Sequence, residues 1–141
     1  MQQLIEFAGN HALLSGAFVA VLLFLVWSEF AQRTRGFAEL SSLQAIPLIN
    51  RGDTVVVDVS ASADFARGHI VNARNIKPSR FSKPDAEIQK LAEKSVLLVC
   101  KNGQAAPAAA SALVKLGARQ VAVLKGGMLQ WNADNYPVTR A

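Results

Sequence analysis

A long apolar segment followed by short alternating ones is the main pattern along this 141-residue chain. Residues 12–27 are apolar apart from Ser15, and the β-branched run Thr54–Ser60 is typical of a strand buried on both faces of a parallel sheet. Strands that alternate with helices indicate an α/β domain, in which ligands bind at the carboxyl ends of the strands. The predicted elements after the apolar segment are strands over 54–60, 73–76, 95–100 and 120–124, with helices over 42–50, 61–67, 84–92 and 107–117 and a last short helix before Pro137.

The apolar segment is long enough to cross a membrane. From Phe7 to Ser28 there is no Asp, Glu, Lys or Arg, and about 20 residues of helix span a hydrocarbon core of about 30 Å. We therefore predict one transmembrane helix over 7–30. A cleaved signal peptide is the main alternative, but no Lys or Arg precedes the apolar run and no small-x-small cleavage site follows Trp27. A buried helix of a soluble domain is a weaker alternative, because the rest of the chain is too small to surround it.

Charges on the two sides of this span predict its orientation. Arg33 and Arg35 follow the span, whereas its N-terminal flank offers only Glu6, so the positive-inside rule places the C-terminal side in the cytoplasm. We expect a single-pass protein of the inner, cytoplasmic membrane with its N-terminus outside. The polar residues 31–39 are expected to form a juxtamembrane linker, and residues 40–141 the domain.

A stripe of small residues runs along the predicted span, with lipid as its expected surroundings. Ala8, Ala12, Gly16 and Ala20 recur every four residues, a spacing that lets the backbone of a second helix approach closely. This pattern predicts a helix partner in the membrane. The alternative is that Ala and Gly are simply common in membrane helices.

Charge and composition narrow the function classes. All 15 Lys and Arg lie at or beyond Arg33 together with eight of the ten acidic residues, so the chain from there onward carries 15 minus 8, or +7. The basic residues are scattered without interleaved aromatics, which disfavours nucleic-acid binding and favours an anionic membrane surface as the neighbour. His11 and His69 are too few for a metal cluster, and a single cysteine forms no internal disulfide. We expect neither a metal nor another cofactor.

The only cysteine, Cys100, stands where an apolar strand gives way to a turn. Asn and Gly in that turn adopt positive φ easily, so successive N–H groups can point at the sulfur, and so does the positive end of the following helix. Such surroundings stabilise a thiolate and an anionic persulfide, which makes Cys100 the predicted nucleophile. The turn, and with it the predicted substrate-binding loop, consists of Lys101, Asn102, Gly103, Gln104 and Ala105.

Other thiol chemistries fit this segment less well. A cysteine phosphatase needs an Arg six residues after the cysteine to hold phosphate, and Ala106 occupies that position. A thioredoxin-type pair needs a second cysteine. A cysteine hydrolase needs a histidine base, but His69 at a predicted helix end is more typical of a structural hydrogen-bonding residue. Phosphate-binding and serine-hydrolase motifs are absent from the sequence.

Four segments in order resemble the motifs of the rhodanese family of sulfurtransferases. They are "VVVDVS", "DFARGHIVNARNI", "VCKNGQAA" and "LKGGMLQW", and the resemblance extends over residues 40–136. The resemblance implies a five-stranded, mostly parallel sheet flanked by helices, preceded here by the membrane helix. It also implies a catalytic Cys100 and a six-residue loop, 100–105, sized for sulfur rather than phosphate. Asp58, Asp64 and Trp131 are expected to hold the fold.

The sequence departs from the family pattern at four positions. Ser60 stands where Arg is usual and Asn72 where Gly is usual, while Ala105 and Ala106 stand where many active members have a cation and then Ser. The missing cation weakens the case for efficient use of thiosulfate, and Lys101 is either a partial replacement or simply solvated. Two functions therefore remain open. One is transfer of sulfane sulfur through Cys100 to cyanide, a thiol or a protein; the other is a catalytically weak module that acts as a membrane-tethered interaction domain.

Overall fold

The computed structural model describes residues 1–140, except for the side chains of Gln32 and Arg33. It divides into two compact units, residues 1–35 and residues 36–141. The first unit contains α1 (Gln2–Asn10) and α2 (Ala12–Arg33). Within α2, the stretch Ala12–Ala31 has a mean hydropathy of 2.1 over 20 residues, so by length and composition it could cross a membrane.

The predicted span over 7–30 differs from this arrangement at its start. At His11 the backbone leaves helical geometry, with φ −126° and ψ 52°, and a new helix begins at Ala12. Residues 7–10 therefore belong to α1 rather than to the long helix. Of the small-residue stripe, Ala8 lies on α1, whereas Ala12, Gly16 and Ala20 share α2. Whether the stripe meets a partner stays a prediction.

The second unit is built on a five-stranded sheet with the order β1-β5-β4-β2-β3. Every neighbouring pair of strands is parallel, which confirms the α/β fold class expected from the sequence. β4 lies in the centre, paired with β2 from Thr54↔Ser95 to Asp58↔Val99 and with β5 on its other side. The strands are β1 (Ala38–Leu40), β2 (Thr54–Asp58), β3 (Arg74–Asn75), β4 (Ser95–Val99) and β5 (Val121–Leu124).

Helices connect these strands close to where the sequence predicts them. A capping box fixes the start of the first one, because the Ser41 side chain accepts the Gln44 N–H at 3.3 Å and the Gln44 side chain accepts the Ser41 N–H at 3.0 Å. The helices are α3 (Ser42–Asn50), α4 (Ser62–Arg67), a 3-10 helix (Pro78–Phe81), α5 (Ala86–Ala92), α6 (Ala106–Lys115) and α7 (Gly127–Ala133).

Two elements were not predicted. β1 occupies the end of the segment expected to be a linker over 31–39, so the linker gives way to a strand at Ala38. Its three residues carry no alternating pattern, and only pairing with β5 makes them a strand. The 3-10 helix begins at Pro78, where proline suits the first helical position.

Apolar side chains cover both faces of the sheet. Val57, Leu98 and Cys100 point toward α5 and α6 in one core cluster, whereas Val56 and Leu97 join the α7 residue Trp131 in a second cluster on the other face. Because β4 is buried on both faces, its sequence reads as one uninterrupted apolar run. This packing fixes the end of β4, where Cys100 lies.

Candidate active site

Cys100 directly follows the central strand and begins a six-residue loop that ends where α6 starts. Its Sγ accepts a hydrogen bond from the Gly103 N–H at 3.0 Å. Of the successive N–H groups predicted to point at the sulfur, that of Gly103 does so. The thiol is buried, because Cys100 is only 2% exposed. Packing against the α6 residues of the first core cluster causes this burial.

The loop owes its shape to its own residues. Gly103 has a φ of +85°, a left-handed conformation that glycine adopts without strain and that turns its N–H toward the sulfur. The Asn102 side chain accepts the Gln104 N–H at 3.2 Å, so that amide is bonded within the loop. Ala105 caps α6 without a side-chain hydrogen bond. The N–H groups at the start of α6 therefore have no capping side chain as acceptor, and they can stabilise a nearby negative charge.

The N-terminus of α7 supports the loop from the side. The Met128 N–H donates to the Cys100 carbonyl at 2.8 Å, and the Leu129 N–H donates to the Lys101 carbonyl at 2.9 Å. Gly127 makes this approach possible, since a Cβ there would lie 2.7 Å from the Gly103 nitrogen.

Lys101 points toward α4. Its Nζ lies 3.7 Å from the Asp64 Oδ1, and the Arg67 Nη1 lies 3.5 Å from the same oxygen. Asp64 therefore holds two cations beside the loop. The sequence predicted that Asp64 holds the fold. It did not indicate that Asp64 also positions these two cations.

Asp58 lies at the end of β2, and its side chain is buried. Its Oδ1 accepts the Ser60 N–H at 2.8 Å, while the Asn75 side chain donates to the carbonyls of Asp58 and Ser60 at 3.1 and 3.0 Å. Burial raises the pKa of the Asp58 carboxyl above its usual value, and the hydrogen bonds from Ser60 oppose that rise. These contacts fix the chain where it leaves the sheet next to the loop, in keeping with a fold-holding role.

His69 and Trp131 are also engaged in structural contacts. The His69 Nδ1–H donates to the Phe65 carbonyl at 2.8 Å, and its ring stacks on the Phe65 ring at a centroid distance of 3.8 Å. An isolated antiparallel bridge joins His69 to Thr139. The Trp131 Nε1–H donates to the Pro137 carbonyl at 3.0 Å. The Trp131 side chain and the His69 backbone thus hold the C-terminal segment, and both side chains make structural contacts of the kind expected from the sequence.

Sequence reasoning missed two features next to the loop. Asn75 was placed only within a predicted strand, although its side chain bridges the two carbonyls at the end of β2. Arg140 lines a cleft beside Lys101, and no local pattern signals that. The departure at Asn72 has a physical reason, because its φ is +65° and Asn is among the residues that best tolerate this region in place of Gly.

Comparison with known proteins agrees with this architecture. A family model described as a rhodanese-like domain matches residues 42–134. The uncharacterized protein YibN of Escherichia coli (strain K12) is 36% identical over 141 residues, covering 99% of each chain. The thiosulfate sulfurtransferase GlpE of Coxiella burnetii is 30% identical over 99 residues, which cover 70% of this chain and 91% of GlpE.

A solved structure shows the same fold. The rhodanese-related protein from Thermoplasma volcanium is 25% identical, with a TM-score of 0.61, and the match covers 74% of this chain and 99% of the other. The matched family model spans well over half of the chain, including Cys100 and its loop. The chain therefore belongs to the family of proteins with a rhodanese-like domain.

Proposed function

We propose that this protein transfers or carries sulfane sulfur on Cys100. The observation that carries the proposal is the Gly103 N–H, which donates to the Cys100 Sγ inside a six-residue loop at the carboxyl end of the central strand. A backbone donor and the start of α6 favour a sulfur anion there without an acid or base side chain. The relative GlpE, named a thiosulfate sulfurtransferase, supports the same chemistry.

The proposed reaction has two steps. In the first, the Cys100 thiolate attacks the outer sulfur of thiosulfate; a new S–S bond forms, the old S–S bond breaks, and sulfite leaves with the electron pair. In the second, cyanide or an acceptor thiolate attacks the terminal sulfur of the Cys100 persulfide. The sulfur leaves as thiocyanate or as the persulfide of the acceptor, and the Cys100 thiolate is restored. The loop amide stabilises the negative sulfur at both stages.

A second candidate function is that of an interaction module with weak or no catalysis. The thiol is 2% exposed, and the exposed end of the loop carries Ala105 rather than a cation. Both features would slow an anionic donor. They do not alter the surface of the domain, which could still bind a protein partner near the membrane.

Intact-mass measurement of the full chain in detergent separates the two functions. After incubation with thiosulfate, or with inorganic polysulfide as a second donor, we expect one added sulfur atom that dithiothreitol removes. Cys100→Ser provides the matched control, because it differs by one atom and leaves no other thiol. If the wild-type protein gains no sulfur from either donor, the interaction module becomes the better description.

We also propose that α2 anchors the protein in the cytoplasmic membrane, with the domain in the cytoplasm. The support is the apolar stretch Ala12–Ala31 and the cationic residues that follow it. A protease added outside intact cells should spare the domain and digest it after the cells are opened. Digestion in intact cells would contradict the orientation, and recovery of the full chain in the soluble fraction would contradict the anchor.

A further inference from the structure

The N-terminal helix α1 (Gln2–Asn10) has an apolar face and a polar face. At about 100° per residue the two kinds of side chain fall on opposite sides of the helix. The apolar ones are Leu4, Ile5, Phe7 and Ala8, and the polar ones are Gln2, Gln3, Glu6 and Asn10. No residue of α1 is buried, and Leu4, Ile5 and Phe7 are 72%, 71% and 56% exposed. The described chain therefore leaves this apolar face uncovered.

α1 has little to stabilise it as a helix in water. It is nine residues long, and isolated helices shorter than about 12 residues are marginal in water. Its first turn has neither a side-chain cap nor an acidic residue. A surface that covers the apolar face would supply the stability that the ends of α1 do not.

The place of α1 directly before α2 indicates which surface this is. The stretch Ala12–Ala31 has 20 residues, and at about 1.5 Å per residue it is as long as a hydrocarbon core of about 30 Å is thick. α2 thus fills the core without α1, and the Glu6 carboxylate would be costly inside that core. At His11 the backbone leaves helical geometry, so the axis of α1 need not continue that of α2.

We infer that α1 lies flat in the surface of the membrane that α2 spans, with its apolar face on the lipid and its polar face in water; this inference rests on the proposed membrane anchor. Amphipathic helices bind bilayers in this way, with the apolar face about 5–10 Å into the boundary between headgroups and acyl chains. Glu6 is the only charged side chain of α1. The contact is therefore apolar and requires no anionic lipid.

Cysteine accessibility at alternate positions of α1 tests the inference. The full chain, with Cys100→Ser to remove the native thiol, is placed in phosphatidylcholine nanodiscs that hold one chain each. Alkylation by a charged, membrane-impermeant maleimide is followed by intact mass. Each rate is divided by that of the same cysteine in a soluble peptide of residues 1–11. The five single variants are Gln2→Cys, Leu4→Cys, Glu6→Cys, Ala8→Cys and Asn10→Cys.

The normalised rates should alternate along the helix, because residues two apart on an α-helix lie on nearly opposite faces. Cysteines at positions 2, 6 and 10 should react as fast as in the peptide. Those at positions 4 and 8 should react about tenfold more slowly, since burial of one leucine-sized side chain shifts an equilibrium by about that factor or more.

Three other patterns would overturn the inference. Fast reaction at all five positions would show that water surrounds α1. Rates that fall steadily from position 2 to position 10 would show that α1 continues the span into the bilayer. Alternation that appears only in discs with two or more chains would assign the apolar face to a second copy of the protein.

A pair of matched variants checks that the apolar side chains cause the protection. In the Ala8→Cys protein, Ile5→Gln/Phe7→Gln should bring the rate at position 8 to within about twofold of the peptide, because it removes two of the apolar side chains that hold α1 on the lipid. Gln3→Asn/Gly9→Ser changes two positions on the polar side and should keep the protection, since no atom lies within 4 Å of a Cβ added at Gly9. Equal protection in both variants would contradict the inference.

Leu22→Cys, in the middle of the apolar stretch of α2, separates this inference from the anchor on which it rests. If that cysteine reacts as fast as a thiol in water, the proposed anchor is wrong and the inference fails with it. If it is protected while the α1 positions show no alternation, the anchor stands and this inference alone is overturned.

Discussion

Replacing Gly127 by alanine should dislodge the loop that follows Cys100 as well as weaken the fold. Gly127 has a φ of +58°, and an added Cβ would lie 2.7 Å from the Gly103 nitrogen and within contact distance of the Cys100 carbonyl. Both neighbours are backbone atoms, so neither can rotate away. The loop must then separate from α7, which breaks the hydrogen bonds from Met128 and Leu129 to the loop carbonyls.

The magnitude follows from two contributions. A left-handed conformation costs a non-glycine residue about 1–2 kcal/mol. Each lost backbone hydrogen bond costs about 0.5–1.5 kcal/mol, or about 1–3 kcal/mol for two. Gly52→Ala is the matched control, because Gly52 has a φ of +79° but no atom within 4 Å of the added Cβ. It carries the first cost only, so Gly127→Ala should be less stable than Gly52→Ala by about 1–3 kcal/mol.

Two measurements check this difference. Urea unfolding of the full chain in detergent can be followed by the fluorescence of Trp131 in a Trp27→Phe background, and the midpoint of Gly127→Ala should lie about 1 M below that of Gly52→Ala. The rate of Cys100 alkylation by iodoacetamide should rise in Gly127→Ala alone, because the buried thiol becomes accessible. Equal midpoints and equal alkylation rates in the two variants would refute the role given to α7.

Two further predictions concern charge at the site. Burial raises the folded-state pKa of Asp58 above 3.8, so its contribution to stability is present below about pH 4 and is lost as the pH rises through the folded-state pKa. The free energy of unfolding of Asp58→Asn should therefore rise relative to that of the wild type between about pH 4 and pH 7, because Asn does not titrate; a constant difference would contradict this. Ala105 is exposed, so Ala105→Arg should pair with thiosulfate and raise kcat/KM about tenfold. The uncharged Ala105→Gln should not, and equal rates would show that this position does not limit donor use.

The sequence predicted most of the fold because the buried strands carry their own signal. β2 and β4 are continuous apolar runs, and the Pro107 and Gly117 that bracket the alanine-rich segment mark its ends as a helix. β1 escaped prediction because its three residues become a strand only through pairing with β5. Local sequence patterns do not indicate such tertiary contacts.

The sequence predicted the part of the candidate site that is contiguous in the chain, but not the residues that folding brings to it from distant segments. Cys100 and the following turn are contiguous, so one segment of sequence suggested their chemistry. The cleft joins residues from α4, the loop, α7 and the C-terminal segment, and Arg67 and Arg140 meet only after folding. The burial of the thiol also depends on packing against α6 and could not be predicted from the turn alone.

The exposed residues of the loop that follows Cys100 differ from the buried residues on either side of them in a way that bears on how such a protein can diversify. Cys100 and Ala106 are buried and belong to the core, whereas Lys101, Asn102, Gln104 and Ala105 are exposed. Substitutions at exposed positions usually change stability by less than about 0.5 kcal/mol. Under the proposed function, donor preference can therefore change through substitutions at these four positions, while the buried residues on either side keep the sulfur in place.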